Sequence, residues 1–111
     1  MADSIYDIEV YNSIKKYLVD KGNFRPADMF MIDKIPYMLM IIYETEKIIN
    51  MEGVIIEDNK GNLRKNPALE VHSLYLNKIR EYFVALGITP KERRKLEEEL
   101  NDIKDDFDDD E

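Results

Sequence analysis

The sequence has no cysteine, no tryptophan and a single histidine. Without cysteine there is no disulfide framework and no thiolate metal site, a composition that fits a reducing compartment. Its four glycines are scattered, and none builds a loop that could cradle a phosphate. The longest apolar run, Ile35 to Tyr43, is about half of what a membrane-spanning helix needs. The start of the chain lacks a basic-then-apolar secretory leader, so a soluble, intracellular protein without membrane contact is expected. Paired carboxylates are dense only near the end, where they would be solvated and lack the rigid support that tunes a catalytic acid. With one histidine, no thiol and no phosphate loop, a catalytic constellation cannot be assembled. No enzyme, metal or cofactor is expected.

What the sequence does contain is segregated charge. The formal net charge is −8, but it is not spread evenly. Residues 1–96 hold fourteen acids and fifteen bases, a net of +1, whereas 97–111 hold ten acids against Lys104 alone, a net of −9. At 111 residues this is one domain at most, read as a near-neutral body, 1–96, followed by an acidic helix or tail, 97–111. An acidic whole does not exclude nucleic acid, because the local charge decides.

The stretch from Lys65 to Leu96 organises the rest. Asn66 is a good N-cap, Pro67 suits the first helical turn, and Gly87 can enter the left-handed conformation that ends a helix. Thr89, Pro90 and Glu92 then spell a second helix start with a capping box. Between Pro67 and Gly87, Leu69, His72, Leu76, Ile79, Phe83 and Leu86 recur at alternating three and four, the seam of a helix packed along another. Upstream, Ser4 and Asp7 open a helix with Ile5, Ile8, Tyr11, Ile14 and Leu18 on one face, stopped by Gly22. Pro26 opens a second helix to about Met51. One of its faces carries Met31, Ile35, Met38, Ile42 and Ile49, and the other carries Met29, Ile32, Leu39, Ile41 and Ile48. Pro36 is expected to kink it or split it at Ile35. Val54 to Ile56 and Leu63 to Lys65 flank a turn-rich Asp58–Asn62 segment, which predicts a small β-hairpin. The spacing of Asp58 and Asn62 lacks the later bidentate glutamate of a calcium loop. The fold class is therefore mainly α, with four or five helices and one hairpin.

The order of these signals resembles the small subunit of tailed-phage terminases, of cos- or pac-type packaging systems. The resemblance is carried by Asn66-Pro67-Ala68-Leu69, by Leu86-Gly87-Ile88-Thr89-Pro90 and by the basic Arg93-Arg94. A helix, a turn, a long helix and Glu52-Gly53 with a short strand precede them, and the likeness covers Ile5 to Leu96. It implies a non-catalytic DNA-recognition oligomer, a ring of about eight to ten copies. Such a ring initiates viral genome packaging in the host cell cytoplasm and regulates a large terminase subunit, the motor ATPase and nuclease. Its partners would be double-stranded viral DNA, that large subunit and further copies of itself. Pro36 departs from the uninterrupted helix expected of the family. A helical protein-binding adaptor with an acidic tail and no nucleic-acid role is the alternative.

Three basic clusters are candidates for DNA: Lys60, Arg64 and Lys65 at the hairpin, Lys91, Arg93, Arg94 and Lys95 after Pro90, and Lys15, Lys16, Lys21 and Arg25 around the first turn. The second cluster opposes its helix dipole, so it is not there for helix stability. The two apolar faces of the second helix exceed what so short a chain can cover. Copy-to-copy contacts are therefore assigned to Ile35, Met38 and Ile42 with Leu69, His72, Leu76, Ile79 and Phe83. The narrow stripe of Leu96, Leu100, Ile103 and Phe107 is expected on a projecting last helix. Leu100, Ile103 and Phe107 would be its anchors on the large subunit.

Overall fold

The computed structural model describes residues 5–108, with side chains described for 5–106. Four α-helices and one antiparallel hairpin are present in the order α1 (Ile5–Lys21), α2 (Met29–Glu52), β1 (Ile55–Glu57), β2 (Leu63–Lys65), α3 (Ala68–Ala85) and α4 (Pro90–Asp108). The mainly helical class with one small hairpin is thus found as expected. Two compact units make up the chain: Met1–Tyr37 with Glu81–Glu111, and Met38–Arg80. Helices α2 and α3 contribute to both.

In the first unit α1 and α4 pack together and run antiparallel. Lys21, at the end of α1, meets Glu92 at the start of α4, while Ser13 Oγ lies 3.2 Å from Glu99. The buried face of α1 is Tyr6, Val10, Ile14 and Leu18, each four residues after the last. Ile5 and Ile8, expected on that face, are exposed, because the stripe is rotated by one residue toward Tyr6 and Val10. The projecting last helix is also corrected. Leu96 and Leu100 are each 1% exposed, since even a narrow apolar stripe suffices where α4 packs along α1. The expected body–tail boundary at 96/97 consequently falls inside α4. Ile103 is half-buried, and the side chain of Phe107 lies outside the described residues.

Both glycine stops work as read. Gly87, at φ +78°, ends α3 in a Schellman turn: Ile88 N–H donates to Phe83 O at 2.9 Å and Gly87 N–H to Val84 O at 3.0 Å. A Cβ on Gly87 would also come within 3.0 Å of Asn23 Nδ2. Before α2, a single 3-10 turn over Pro26–Asp28 carries the chain, and the carboxylate of Asp28 is buried. Arg25 satisfies it through its own N–H (3.2 Å) and its guanidinium (3.1 Å).

Helix α2 passes through Pro36 without being split there. Pro36 forfeits one main-chain hydrogen bond, a cost of about 3 kcal/mol. Ile32, Ile35, Met38, Leu39 and Ile42 are buried on either side of it, and each contributes about 1.5–3 kcal/mol. Burial therefore outweighs the proline. Only one face of α2 is buried, however, and it draws from both expected stripes. Met29, Met40 and Ile48 remain exposed.

In the second unit Asn66 does two things. Its Oδ1 accepts from Ala68 N–H at 3.0 Å, the cap expected of α3, and its Nδ2 donates to Gly53 O at 2.9 Å. Its own N–H donates to Val54 O, so the cap also ties off the base of the hairpin. In the hairpin turn the Asp58 carboxylate accepts from Lys60 N–H and Asn62 N–H, both at 2.9 Å. The acid thus organises a turn, as short acidic side chains do.

Candidate nucleic-acid interface

The first turn of α4 is fixed by Glu92. Thr89 and Glu92 form the expected capping box: Glu92 N–H donates to Thr89 Oγ1 at 3.2 Å and Thr89 N–H to Glu92 Oε1 at 2.9 Å. The same carboxylate accepts from Lys21 Nζ at 2.7 Å, and Lys21 also donates to Gly87 O at 2.8 Å. Lys21, the Thr89 amide and the Tyr17 hydroxyl together hold the Glu92 carboxyl down to about 2. Burial, and then the hydrogen bond to that carboxylate, push the Tyr17 phenol up to about 12. Four groups from α1 and the α3–α4 turn therefore set the direction in which α4 starts.

That anchoring consumes Glu92 and leaves its basic neighbours uncompensated. Lys91, Arg94 and Lys95 are exposed, Arg93 is half-buried, and none has an ion-pair partner among the described residues. Lys91, Arg94 and Lys95 fall on the side of α4 opposite to Leu96 and Leu100, given 3.6 residues per turn. Positive charge at a helix N-terminus opposes the macrodipole, at a cost of about 0.3–1 kcal/mol per group.

The other two clusters come apart. Around the end of α1, Lys21 is paired with Glu92 and Arg25 with Asp28, while Lys15 Nζ sits 5.5 Å from the Phe24 ring centre. Lys16 alone is exposed with no partner among the described residues. This alternative patch is thus largely spent on structure. In the hairpin Lys60, Arg64 and Lys65 are all exposed, but the register places them differently. Ile55 lies opposite Lys65 and Ile56 opposite Arg64, so Lys65 and Arg64 occupy opposite faces of the ribbon. Four further exposed bases, Lys34, Lys47, Lys78 and Arg80, give no cluster signal in the sequence, because acidic or apolar residues separate them from one another.

The expected copy-to-copy residues need a correction. Ile35, Met38, Ile42, Ile79 and Phe83 are buried within the single chain at 5% exposure or less, so they form its core and are not available at a surface. Periodicity identifies a seam but not whether the partner helix belongs to the same chain. Leu69, Leu76 and His72 are half-buried, with His72 Nε2 3.4 Å from Glu46 Oε2. Exposed large apolar side chains lie elsewhere, seven of them in the first unit, Phe30 among them. In the second unit they comprise Met40, Ile48 and Met51 on α2, Val54, Ile55 and Leu63 at the hairpin, and Val71 and Leu74 on α3. Leu100, expected to anchor the large subunit, is likewise core and offers no surface for it.

Fold and surface together define a small, mostly helical protein with segregated charge. No group of histidine and carboxylate side chains that could hold a metal occurs among the described residues, nor is any described helix long and apolar enough to cross a membrane. The sequence profile of the family described as phage terminase, small subunit, matches residues 9–102, and the chain belongs to that family. The match takes in every motif on which the resemblance rested and extends into the acidic half of α4. No curated protein and no solved structure matches the chain.

Proposed function

We propose that this small terminase subunit is the DNA-recognition component of its packaging machine and that the start of α4 is its main DNA contact. The family places the chain in phage genome packaging. The observation that supports the DNA role is the exposed trio Lys91, Arg94 and Lys95, unpaired among the described residues and set against the helix dipole. Such a trio neutralises phosphates and releases counterions, and it reads few bases because no helix need enter a groove. Lys60, Arg64 and Lys65 on the hairpin are a second, separate candidate contact. The protein works as a closed homo-oligomer through the exposed apolar surface of Met38–Arg80. Repetition of a weak patch around the assembly then gives useful affinity. It acts in the host cell cytoplasm without catalysis of its own and regulates the large subunit, with Ile103 and Phe107 as the remaining candidate anchors.

The test is a salt titration of duplex binding by the full chain. Replacement of Lys91, Arg94 and Lys95 by Glu should weaken binding and flatten the log–log salt slope by about 2–3 per bound copy. An unchanged slope would transfer the contact to Lys60, Arg64 and Lys65. A wild-type protein that binds no duplex even at low salt would leave the helical adaptor as the better reading.

A further inference from the structure

Helix α4 carries its charges the wrong way round at both ends. Bases crowd its first turns, and Asp102, Asp105 and Asp106 crowd its last, where a helix favours cations. Lys91, Arg94, Glu98, Asp102 and Asp105 recur at three and four residues, all exposed, so they form one outward stripe that is positive in its first half and negative in its second. Packing of Leu96 and Leu100 holds the helix in place despite this. The helix dipole thus gains nothing from this arrangement.

A surface of this kind is complementary to itself. When two copies of α4 lie antiparallel, the bases of each meet the acids of the other, and one isologous contact satisfies both clusters at once. We propose that the outward stripe of α4 pairs with the same stripe of a second copy, and that this pairing covers the DNA-binding bases until duplex displaces it. The acidic half is a fair substitute for DNA. On the stripe Glu98, Asp102 and Asp105 stand about 6 Å and about 4.5 Å apart along the helix, a row of anions of the same order as one phosphate per about 3.4 Å along a DNA strand. The two ends of a single α4 cannot meet each other, since Arg94 and Asp105 are about 16 Å apart on a rigid rod. The acidic half of α4 can therefore meet the bases of α4 only on another copy. Glu98 falls at the crossing, where it meets its counterpart, with Lys95 one turn away on each helix. The inference rests on the DNA reading of the α4 start and adds to it a competitor supplied by the protein itself.

Because the chain has no cysteine, one substitution reports on the contact. Glu98→Cys leaves every basic residue in place and puts a thiol at the crossing. Under mild oxidation without DNA it should form covalent dimers several-fold faster than Asp20→Cys, an exposed control on α1. Saturating duplex, or about 1 M salt, should abolish that advantage. Added Asp102→Asn, Asp105→Asn and Asp106→Asn should also abolish it, and should tighten duplex binding about threefold to tenfold. Dimers that form no faster than the control would overturn the pairing while leaving DNA binding intact. Dimers that form equally well in saturating duplex would overturn the competition. Absence of duplex binding in wild type and in the triple Asn variant alike would instead sink the DNA reading, a result that the disulfide rate does not depend on.

Discussion

The two units differ in how they hold themselves together. Met1–Tyr37 with Glu81–Glu111 has a filled core: Val10, Ile14, Leu18, Ile32 and Ile35 are buried along with Phe83, Leu86, Ile88, Leu96 and Leu100. It is also stitched by polar contacts between residues far apart in the chain, such as Lys21 with Gly87 and Glu92. Met38–Arg80 is smaller, buries Met38, Leu39, Ile42, Ala68 and Ile79, and leaves eight large apolar side chains exposed, against seven in the larger unit. A unit with so large a core holds together by its own packing and is free to spend surface charge on ligands. A smaller unit whose exposed large apolar side chains outnumber its buried ones is suited to be completed by other copies.

The comparison is broken most directly in the filled unit. Leu100→Ala should lower unfolding free energy by about 2–5 kcal/mol, as a core truncation does. A surface anchor would change it by less than about 0.5 kcal/mol. Urea titration separates the two. In the second unit Asn66→Ala removes the α3 cap and orphans the Gly53 carbonyl, and should cost about 1–3 kcal/mol in the same assay. Ile55→Lys with Leu63→Lys should leave stability within about 0.5 kcal/mol yet shrink the particle seen by light scattering. An unchanged particle would move the copy-to-copy surface to Met40, Ile48 and Met51.

The smallest effect is expected from the Glu92 cluster, and it depends on pH. The folded Glu92 carboxyl is held at about 2 against 4.5 for a free one, so its contribution is present above about 4.5 and is lost as pH falls toward 2. Tyr17 is raised from 10.0 to about 12, so its contribution is complete below 10 and disappears as pH rises toward 12. Glu92→Gln should flatten the acid limb of a stability–pH profile, and Tyr17→Phe the alkaline limb.

What was legible in the sequence was local. The caps at Asn66 and Thr89, the stops at Gly22 and Gly87, and the hairpin all depend on residues within a few positions, and each was found where expected. The pairing of α1 with α4 was not legible, because Leu96 and Leu100 stand between charges and signal no core by themselves. Nor could the choice of the buried face of α2 be read, since apolar residues line both. Among the bases, the loss of Arg25 to Asp28 could have been inferred from their three-residue spacing, but the loss of Lys21 to Glu92, seventy-one residues away, could not.

The antiparallel pairing of α1 with α4 also fixes an order of events during synthesis. Val10, Ile14 and Leu18 leave the ribosome early, yet the helix that covers them follows only after the whole of Met38–Arg80. From Lys21 to Gly87 the chain grows by 66 residues. At about 5–20 residues per second the exposed face of α1 waits roughly 3 to 13 s for its cover. In that interval the nascent chain offers an apolar helix face to chaperones and to its neighbours on the same message.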